Sequence, residues 1–333
     1  MLSIKKVTAG TVAMVLLLAT ALHAGNRKTG INGATFLKIG VGAKQISLGS
    51  AVTTMSGDPN MMFWNPAGIV SESGKTAFAF NHNRWLLAMN HEALAITHKI
   101  EGIGTLGLGV IYVGLGDIVA DRDIAPTEDT RQLQADQATS PTYSFYDVAV
   151  NLTIAHQFTD KLTLGASLKF IREKIDDQTA SSVAADFGVI YRTGFRDLTL
   201  GARMNNLGGD IEYYSIPAPI PLLFSIGASM TLAGEENSRL IGYLDATKPQ
   251  DNPQLYFGGL EWRLMERLSI RGGYKFAYSG TKDRFNIDIT DEGASFGAGL
   301  KLPWGGNSIF IDYAFTQFNV LSNTHRFSFY IEF

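Results

Sequence analysis

From residue 76 to the last residue, apolar and polar side chains alternate with a period of two, in segments of roughly 9 to 12 residues. In LTLGASLKF (162–170), Leu162, Leu164, Ala166, Leu168 and Phe170 fall on one side of an extended chain; Thr163, Gly165, Ser167 and Lys169 fall on the other. DVAVNLTIAHQF (147–158) sets Val148, Val150, Leu152 and Ile154 against Ala149, Asn151, Thr153 and Gln157. LSIRGGYKF (268–276) and ASFGAGLKL (294–302) repeat the pattern. Such segments cover about 76–83, 92–100, 104–113, 144–158, 162–175, 181–192, 198–208, 222–230, 239–247, 254–264, 268–276, 292–302, 308–318 and 324–333, an even count of fourteen.

The connections sort by parity. Alternate ones are tight (Glu101-Gly102-Ile103, Thr159-Asp160-Lys161, Met265-Glu266-Arg267, Pro303 to Asn307), and the others include all the long ones, 114–143, 209–221 and 277–291. A secreted β-sandwich or propeller also alternates but has no reason to keep its long loops on one side. An outer-membrane barrel does, with short periplasmic turns and longer external loops. In hydrocarbon every backbone N–H and C=O must pair, so strands cross only as a closed barrel. The expectation is an all-β, 14-stranded antiparallel transmembrane β-barrel whose apolar faces meet the lipid bilayer.

The final strand fits that arrangement. Phe327, Phe329, Ile331 and Phe333 share one side, and Arg326, Ser328, Tyr330 and Glu332 the other. The first set reads as a lipid-facing row on a strand that pairs with the first. A strand ending on phenylalanine also resembles the signal by which the outer-membrane barrel-assembly machinery recognises its clients. The alternative is a buried terminal strand.

The amino terminus bears on compartment. Lys5 and Lys6 precede the apolar run 12–19, and Ala21 and Ala24 stand where a signal peptidase requires small side chains. The run is short for a membrane-anchoring helix, so residues 1–24 read as a cleaved signal peptide. Without Lys5 and Lys6 the 28 basic residues fall to 26 against 31 acidic, a formal charge of −5, which leaves no basic face for nucleic acid. The chain is 45% hydrophobic and only 18% charged, with 35 Gly and no Cys; the missing cysteines agree with an extracytoplasmic life without disulfides.

Residues 25–75 do not fit a spanning strand. The segment is rich in small residues and broken by Gly57, Pro59, Pro66 and Gly68, yet it carries Phe36, Leu37, Ile46, Leu48, Met55, Met61, Met62, Phe63 and Trp64. Pro66 disfavours regular helix just before it, and Asn65 is suited to bonding its own backbone, so 63–68 reads as a turn. The apolar side chains require burial, and the nearest cavity is the lumen of a barrel too wide for wall side chains alone to fill. The expectation is a hatch or plug folded into the barrel, with 76–333 forming the barrel wall.

The stretch GATFLKIGVGAKQISLGSAVTTMSGDPNMMFWNPAGI (33–69), with Asp58 ahead of Trp64, Asn65, Pro66, Ala67 and Gly68, resembles the start of PorV/PorQ-family proteins, within the FadL-like (long-chain fatty acid transporter) barrel superfamily. So do Asn206-Leu207-Gly208 followed by Ile216-Pro217-Ala218-Pro219, and the layout of signal, hatch, fourteen strands and terminal Phe. The Asn-Pro-Ala-Gly motif is only moderately specific. The resemblance implies an integral outer-membrane protein of a Gram-negative-type bacterium, not an enzyme, with its amino-terminal segment and C-terminus on the periplasmic side. It further implies a role as an accessory of type IX protein secretion, handling or anchoring exported proteins, or FadL-like passive transport of hydrophobic small molecules. The first predicts secretion components or secreted proteins as partners. The second predicts an apolar ligand in a pocket bounded by hatch residues such as Phe36, Met62, Phe63 and Trp64. Trp64 to Gly68 are gate candidates in either case.

Other patterns change little. Gly293-Ala-Ser295-Phe-Gly297 matches a nucleophile elbow, but Ser295 begins a period-two strand. Gly102-Ile-Gly104-Thr-Leu-Gly107 opens a strand where a dinucleotide fingerprint opens a helix. Gly68 to Thr76 has one residue too many for a phosphate loop. A barrel-embedded hydrolase requires a Ser–His pair, and the sequence singles none out. His156 and His325 fall on the lipid-facing parity near opposite strand ends, where amphipathic rings suit the membrane interfaces. His82, His91 and His98 lie on the first hairpin without an acidic orienter at a telling spacing. No metal or cofactor is expected. Loop 114–143 carries Asp117, Asp121, Asp123, Glu128, Asp129 and Asp136 against Arg122 and Arg131, and reads as a solvated stretch or an acidic patch. Loop 209–221, with Ile211, Tyr213, Tyr214, Ile216, Pro217 and Ile220, is apolar and stiff. It either folds over the barrel mouth or docks another protein, and Tyr213, Tyr214, Ile216 and Pro217 are the candidate contacts.

Overall fold

A computed structural model describes residues 30–71, 75–119, 142–235, 237–252, 254–277, 292–318 and 321–333. The expected signal peptide and most of the acidic loop 114–143 lie outside the described residues, as does most of 277–291. Sixteen strands occur in this set: β1 Thr76–Arg84, β2 Asn90–Ile100, β3 Gly104–Val119, β4 Thr142–Gln157, β5 Leu162–Ile175, β6 Gln178–Arg192, β7 Thr199–Gly208, β8 Ile211–Tyr213, β9 Ile216–Ala218, β10 Leu223–Glu235, β11 Ser238–Pro249, β12 Leu255–Leu264, β13 Leu268–Ala277, β14 Glu292–Trp304, β15 Asn307–Phe318 and β16 Thr324–Glu332. Fourteen of them close a barrel of consecutive antiparallel neighbours. β8 and β9 pair only with each other.

Closure joins β1 to β16, with Ala77 opposite Glu332 and Arg84 opposite His325. The hydrogen bonds continue to the last residue: Phe333 N–H donates to Thr76 O, and the Lys75 and Thr76 amides donate to Phe333 O. The ladder therefore has no free edge, as hydrocarbon demands.

The two faces carry inverted polarity relative to a water-soluble fold. Leu168 is 66% exposed on the outside, while its neighbour Lys169 is 5% exposed in the lumen. In β16, Phe327, Phe329 and Phe333 are exposed and Ile331 is half-buried; Arg326, Ser328, Tyr330 and Glu332 are buried. A continuous belt of exposed Leu, Ile, Val and Phe side chains of this extent is a lipid-facing surface. Among the described residues no helix is long and apolar enough to cross a membrane; the strands do so.

Every connection at one end is short: 101–103, 158–161, 193–198, 236–237, 265–267 and 305–306. The other end carries 120–141, 209–222 and 278–291, together with the short 85–89, 250–254 and 319–323 and the two-residue turn 176–177. Several strands outrun the pattern at the long-loop end. β3 reaches Val119 against an expected 113, beyond a register shift between Leu115 and Ile118 that absorbs the loss of alternation. The segment 209–221, expected as a loop, holds the β8–β9 hairpin, which turns through Tyr214 and Ser215 in left-handed backbone conformations.

Residues 30–71 lie inside the barrel. Their elements are a 3₁₀ turn Thr35–Lys38, one short α-helix Ala43–Ser47, and two 3₁₀ turns Pro59–Phe63 and Pro66–Ile69. Asp58 and Asn65 cap the latter two, their side-chain oxygens accepting from the Asn60 and Ala67 amides, with a proline at the first helical position of each.

Candidate functional site

The plug fits the wall because the wall gives way at glycine. Lumen-facing Gly107 in β3, Gly165 in β5, Gly188 in β6, Gly201 in β7, Gly259 in β12 and Gly273 in β13 each lie against plug atoms. A methyl group at Gly201 would stand 2.6 Å from Thr53 O, and one at Gly259 2.6 Å from Leu48 O. Backbone meets backbone at these points, so no side chain can move aside to make room.

Polar contacts fix the register of plug against wall. Asp245 of β11 accepts from the amides of Val52 and Thr53, at 2.9 Å each, and from Thr53 Oγ1 at 2.7 Å. Arg203 of β7 donates to Thr53 Oγ1 at 3.1 Å and lies over the Trp64 ring at 5.3 Å. Asn65 donates to Thr53 O at 2.6 Å and to Val189 O at 3.3 Å, tying the Asn-Pro-Ala-Gly turn to the rest of the plug and to β6. Asn205 donates to Trp64 O at 2.7 Å. The contacts to the Val52 and Thr53 amides and to the Thr53 and Trp64 carbonyls satisfy buried backbone groups of the plug.

Below the plug, toward the short turns, the lumen is ionic. Arg271 bonds both Glu261 and Asp312, and Arg263 bonds Glu261 at 2.7 Å. Lys44, Arg239, Glu266, Arg267 and Lys301 line the same cavity, of about 220 Å³.

Above the plug, toward the long loops, lies a cavity of about 440 Å³ of different character. Its floor is Leu37, Ile39, Val41, Phe63 and Trp64 from the plug, and its walls include Ile111, Leu255, Phe257, Phe318 and Trp85. The size and the mainly apolar lining suit a small organic molecule. The charged groups in its lining are engaged: Lys169 pairs with Asp186 at 3.0 Å, Lys275 with Glu292, Lys38 with Asp251, and Arg203 bonds Thr53.

Four of the expected hatch residues divide two and two. Phe63 and Trp64 line this cavity. Met62 is fully buried against Gly107 and Gly109, and Phe36 packs with Val41 and Ile211 beneath the β8–β9 hairpin. Both were expected at the pocket and are not there, because they fill the joints between plug, wall and hairpin. Asn65, Pro66, Ala67 and Gly68 are buried in the plug–wall contact and line no opening.

The hairpin covers the plug: Gly33 N–H donates to Pro219 O at 3.0 Å, and Ile211 is fully buried against Ala34 and Phe36. Tyr213 reaches inward, its hydroxyl 3.4 Å from Glu173 of β5. Burial and then the charges of Glu173 and Asp147 push that phenol well above its ordinary range. Tyr214, Ile216 and Pro217 remain exposed at the tip.

His82 does have an acidic neighbour, contrary to the sequence reading: Glu92, opposite it across β1 and β2, approaches Nδ1 at 2.7 Å. Cross-strand pairing supplied a partner that linear spacing could not reveal. Ser295 sits inside β14, 3.3 Å from Thr316 Oγ1, with no histidine bonded to it. Among the described residues no cluster of His, Cys, Asp or Glu could hold a metal.

Comparison with solved structures adds to this geometry. The toluene transporter TbuX of Ralstonia pickettii superposes with a TM-score of 0.59 at 13% identity, covering 88% of this chain and 98% of its own. The chain has the fold of these channels. The toluene transporter TodX of Pseudomonas putida gives 0.55 at 12% identity, covering 88% of this chain and 97% of its own; a FadL homologue of Pseudomonas aeruginosa gives 0.54 at 11%, covering 87% and 97%. These neighbours are transport proteins, not enzymes. No protein-family model and no curated protein matches the sequence. What this chain shares with FadL-like barrels is the architecture, carried almost without sequence identity.

Charged residues at lumen-facing positions, Arg203, Asp245, Glu261, Arg271 and Asp312, form much of the site, and sequence reasoning did not single them out. Their signal was present: each is a charge inside a period-two strand, on the face opposite the apolar row.

Proposed function

We propose that this protein is an outer-membrane channel for passive uptake of hydrophobic small molecules, its long loops outward. The observation that carries the reading is the apolar cavity of about 440 Å³ at the long-loop end, floored by Phe63 and Trp64 and placed above an otherwise close-packed plug. A ligand entering from that end meets a mainly apolar lining whose charged groups, among them Lys169 and Lys275, are already paired with carboxylates. The toluene transporters among its fold neighbours support the same reading.

The type IX secretion role, and membership of the PorV/PorQ type, rest on sequence resemblance alone, that of 33–69, of 206–208 with 216–219, and of the overall layout. One observation favours a docking role: the exposed hairpin tip with Tyr214 and Ile216, 74% and 71% accessible. The transport reading accounts for the cavity as well as for the fold, and is preferred.

The test uses Trp64 and Trp85, both at the cavity. Titrating the detergent-purified protein with naphthalene should change tryptophan emission saturably, and Leu223→Trp, which fills the cavity, should weaken apparent affinity at least tenfold. Emission that does not saturate, or is indifferent to filling, would remove the proposal.

A further inference from the structure

The seam where the barrel closes contains a buried cation without a counter-charge. Arg326 of β16 stands opposite Asn83 of β1, which in turn stands opposite His91 of β2, so the three form one lumen-facing row. Thr324 lies two residues before Arg326 on the same face. All four are buried, between 1% and 3% exposed.

Their polar atoms are unspent. Nε, Nη1 and Nη2 of Arg326, Nε2 of His91, Oδ1 of Asn83 and Oγ1 of Thr324 have no hydrogen-bond partner among the described residues. The Trp85 ring lies over the guanidinium at 5.1 Å and covers one of its faces. Lys275 is the nearby second cation, and its charge is already matched by Glu292. No carboxylate of the described residues lies within ion-pair distance of Arg326.

A guanidinium does not lose its proton, and leaving one buried and unpaired costs several kcal/mol. A buried polar group of this kind calls for a water or an ion. The unspent groups choose between these. Asn83 Nδ2 lies 3.4 Å from His91 Nδ1; with that amide donating, a neutral His91 ring carries its proton on Nε2 and is itself a donor. Arg326 offers N–H groups from three nitrogens and His91 one N–H; Thr324 Oγ1 can donate or accept, and Asn83 Oδ1 accepts. A water bridging these groups leaves the buried positive charge unmatched, whereas an anion both accepts from the N–H donors and neutralises that charge.

We propose that Arg326, His91 and Thr324 hold a small monovalent anion, halide-sized, buried against the β1–β16 seam beneath Trp85. The anion neutralises the one place where the first and last strands meet around an unmatched charge.

The experiment is anomalous diffraction from crystals of the detergent-purified protein grown or soaked in sodium bromide, with thermal unfolding in sodium chloride against sodium gluconate. The expected result is a bromide peak within hydrogen-bonding reach of the Arg326 guanidinium, a lower melting temperature in gluconate, and loss of both in Arg326→Met. If that variant does not assemble, Thr324→Val should still fold and show reduced bromide occupancy. Water density in place of bromide, equal melting in both salts, or bromide retained by Arg326→Met would each overturn the site.

Discussion

Asp245 is the residue on which the plug's position depends most. Its carboxylate takes three donors from Val52 and Thr53, and Arg203 approaches from the neighbouring wall. Asp245→Ala leaves the amides of Val52 and Thr53 without acceptors, at about 1–3 kcal/mol for each that finds no substitute, while the Thr53 hydroxyl still has Ser225 Oγ at 3.1 Å. The barrel should still form, but segment 43–70 should become cleavable by protease in detergent, while the wild type resists. Trp64 makes a contrasting case. Its Nε1 donates to Val41 O at 2.8 Å and its ring forms part of the cavity floor, so Trp64→Ala should destabilise by about 3–5 kcal/mol in urea unfolding and also weaken ligand binding. At this scale the sequence identified the cap at Asn65 and the burial of Trp64, because both follow from local chemistry. It could not identify Asp245, whose partners lie almost two hundred residues away in the chain.

Among elements, the plug and the hairpin respond to opposite kinds of change. Lumen-facing Gly273 meets the plug backbone at Leu48 and Gly49, and a bulkier residue there has nowhere to go. Gly273→Val should keep the strand, for which valine is well suited, yet push the plug aside. Planar-bilayer recordings should then show higher conductance than wild type; unchanged conductance would mean the plug does not occlude the lumen. In the hairpin, Ile211 is fully buried and Ile216 is 71% exposed. Ile211→Ala should cost about 2–5 kcal/mol, and Ile216→Ser should stay within about 0.5 kcal/mol, both read from urea unfolding. The fourteen strands were legible because alternation is set by the two solvents on either side of the wall. The hairpin was not: strands of three residues are too short to show a period, and their pairing is imposed by packing on Ala34 and Phe36. Strand ends at the long-loop side were misplaced for a related reason, since strands that leave the membrane lose the lipid face that enforces alternation.

At the scale of the molecule, the lipid-facing belt and the closed ladder explain why the fold survives with about one residue in eight shared with its structural neighbours. The wall needs only apolar-out and small-or-polar-in side chains, and many sequences satisfy that. What distinguishes one such protein from another is the content of the lumen. Here that content is a close-packed plug with an ionic chamber beneath it and an apolar cavity above it. The polarity of the wall was readable from the chain; the position of the cavity was not, since it is the space left between plug, hairpin and wall.

The uptake account is tested most directly in intact cells whose own hydrocarbon channels have been deleted, by measuring the entry of radiolabelled toluene with and without this protein in the outer membrane. Entry should be several-fold faster with the wild-type protein and return to background with the cavity-filling variant Leu223→Trp at equal abundance. Equal entry with and without the protein, or full activity in the filled variant, would contradict it.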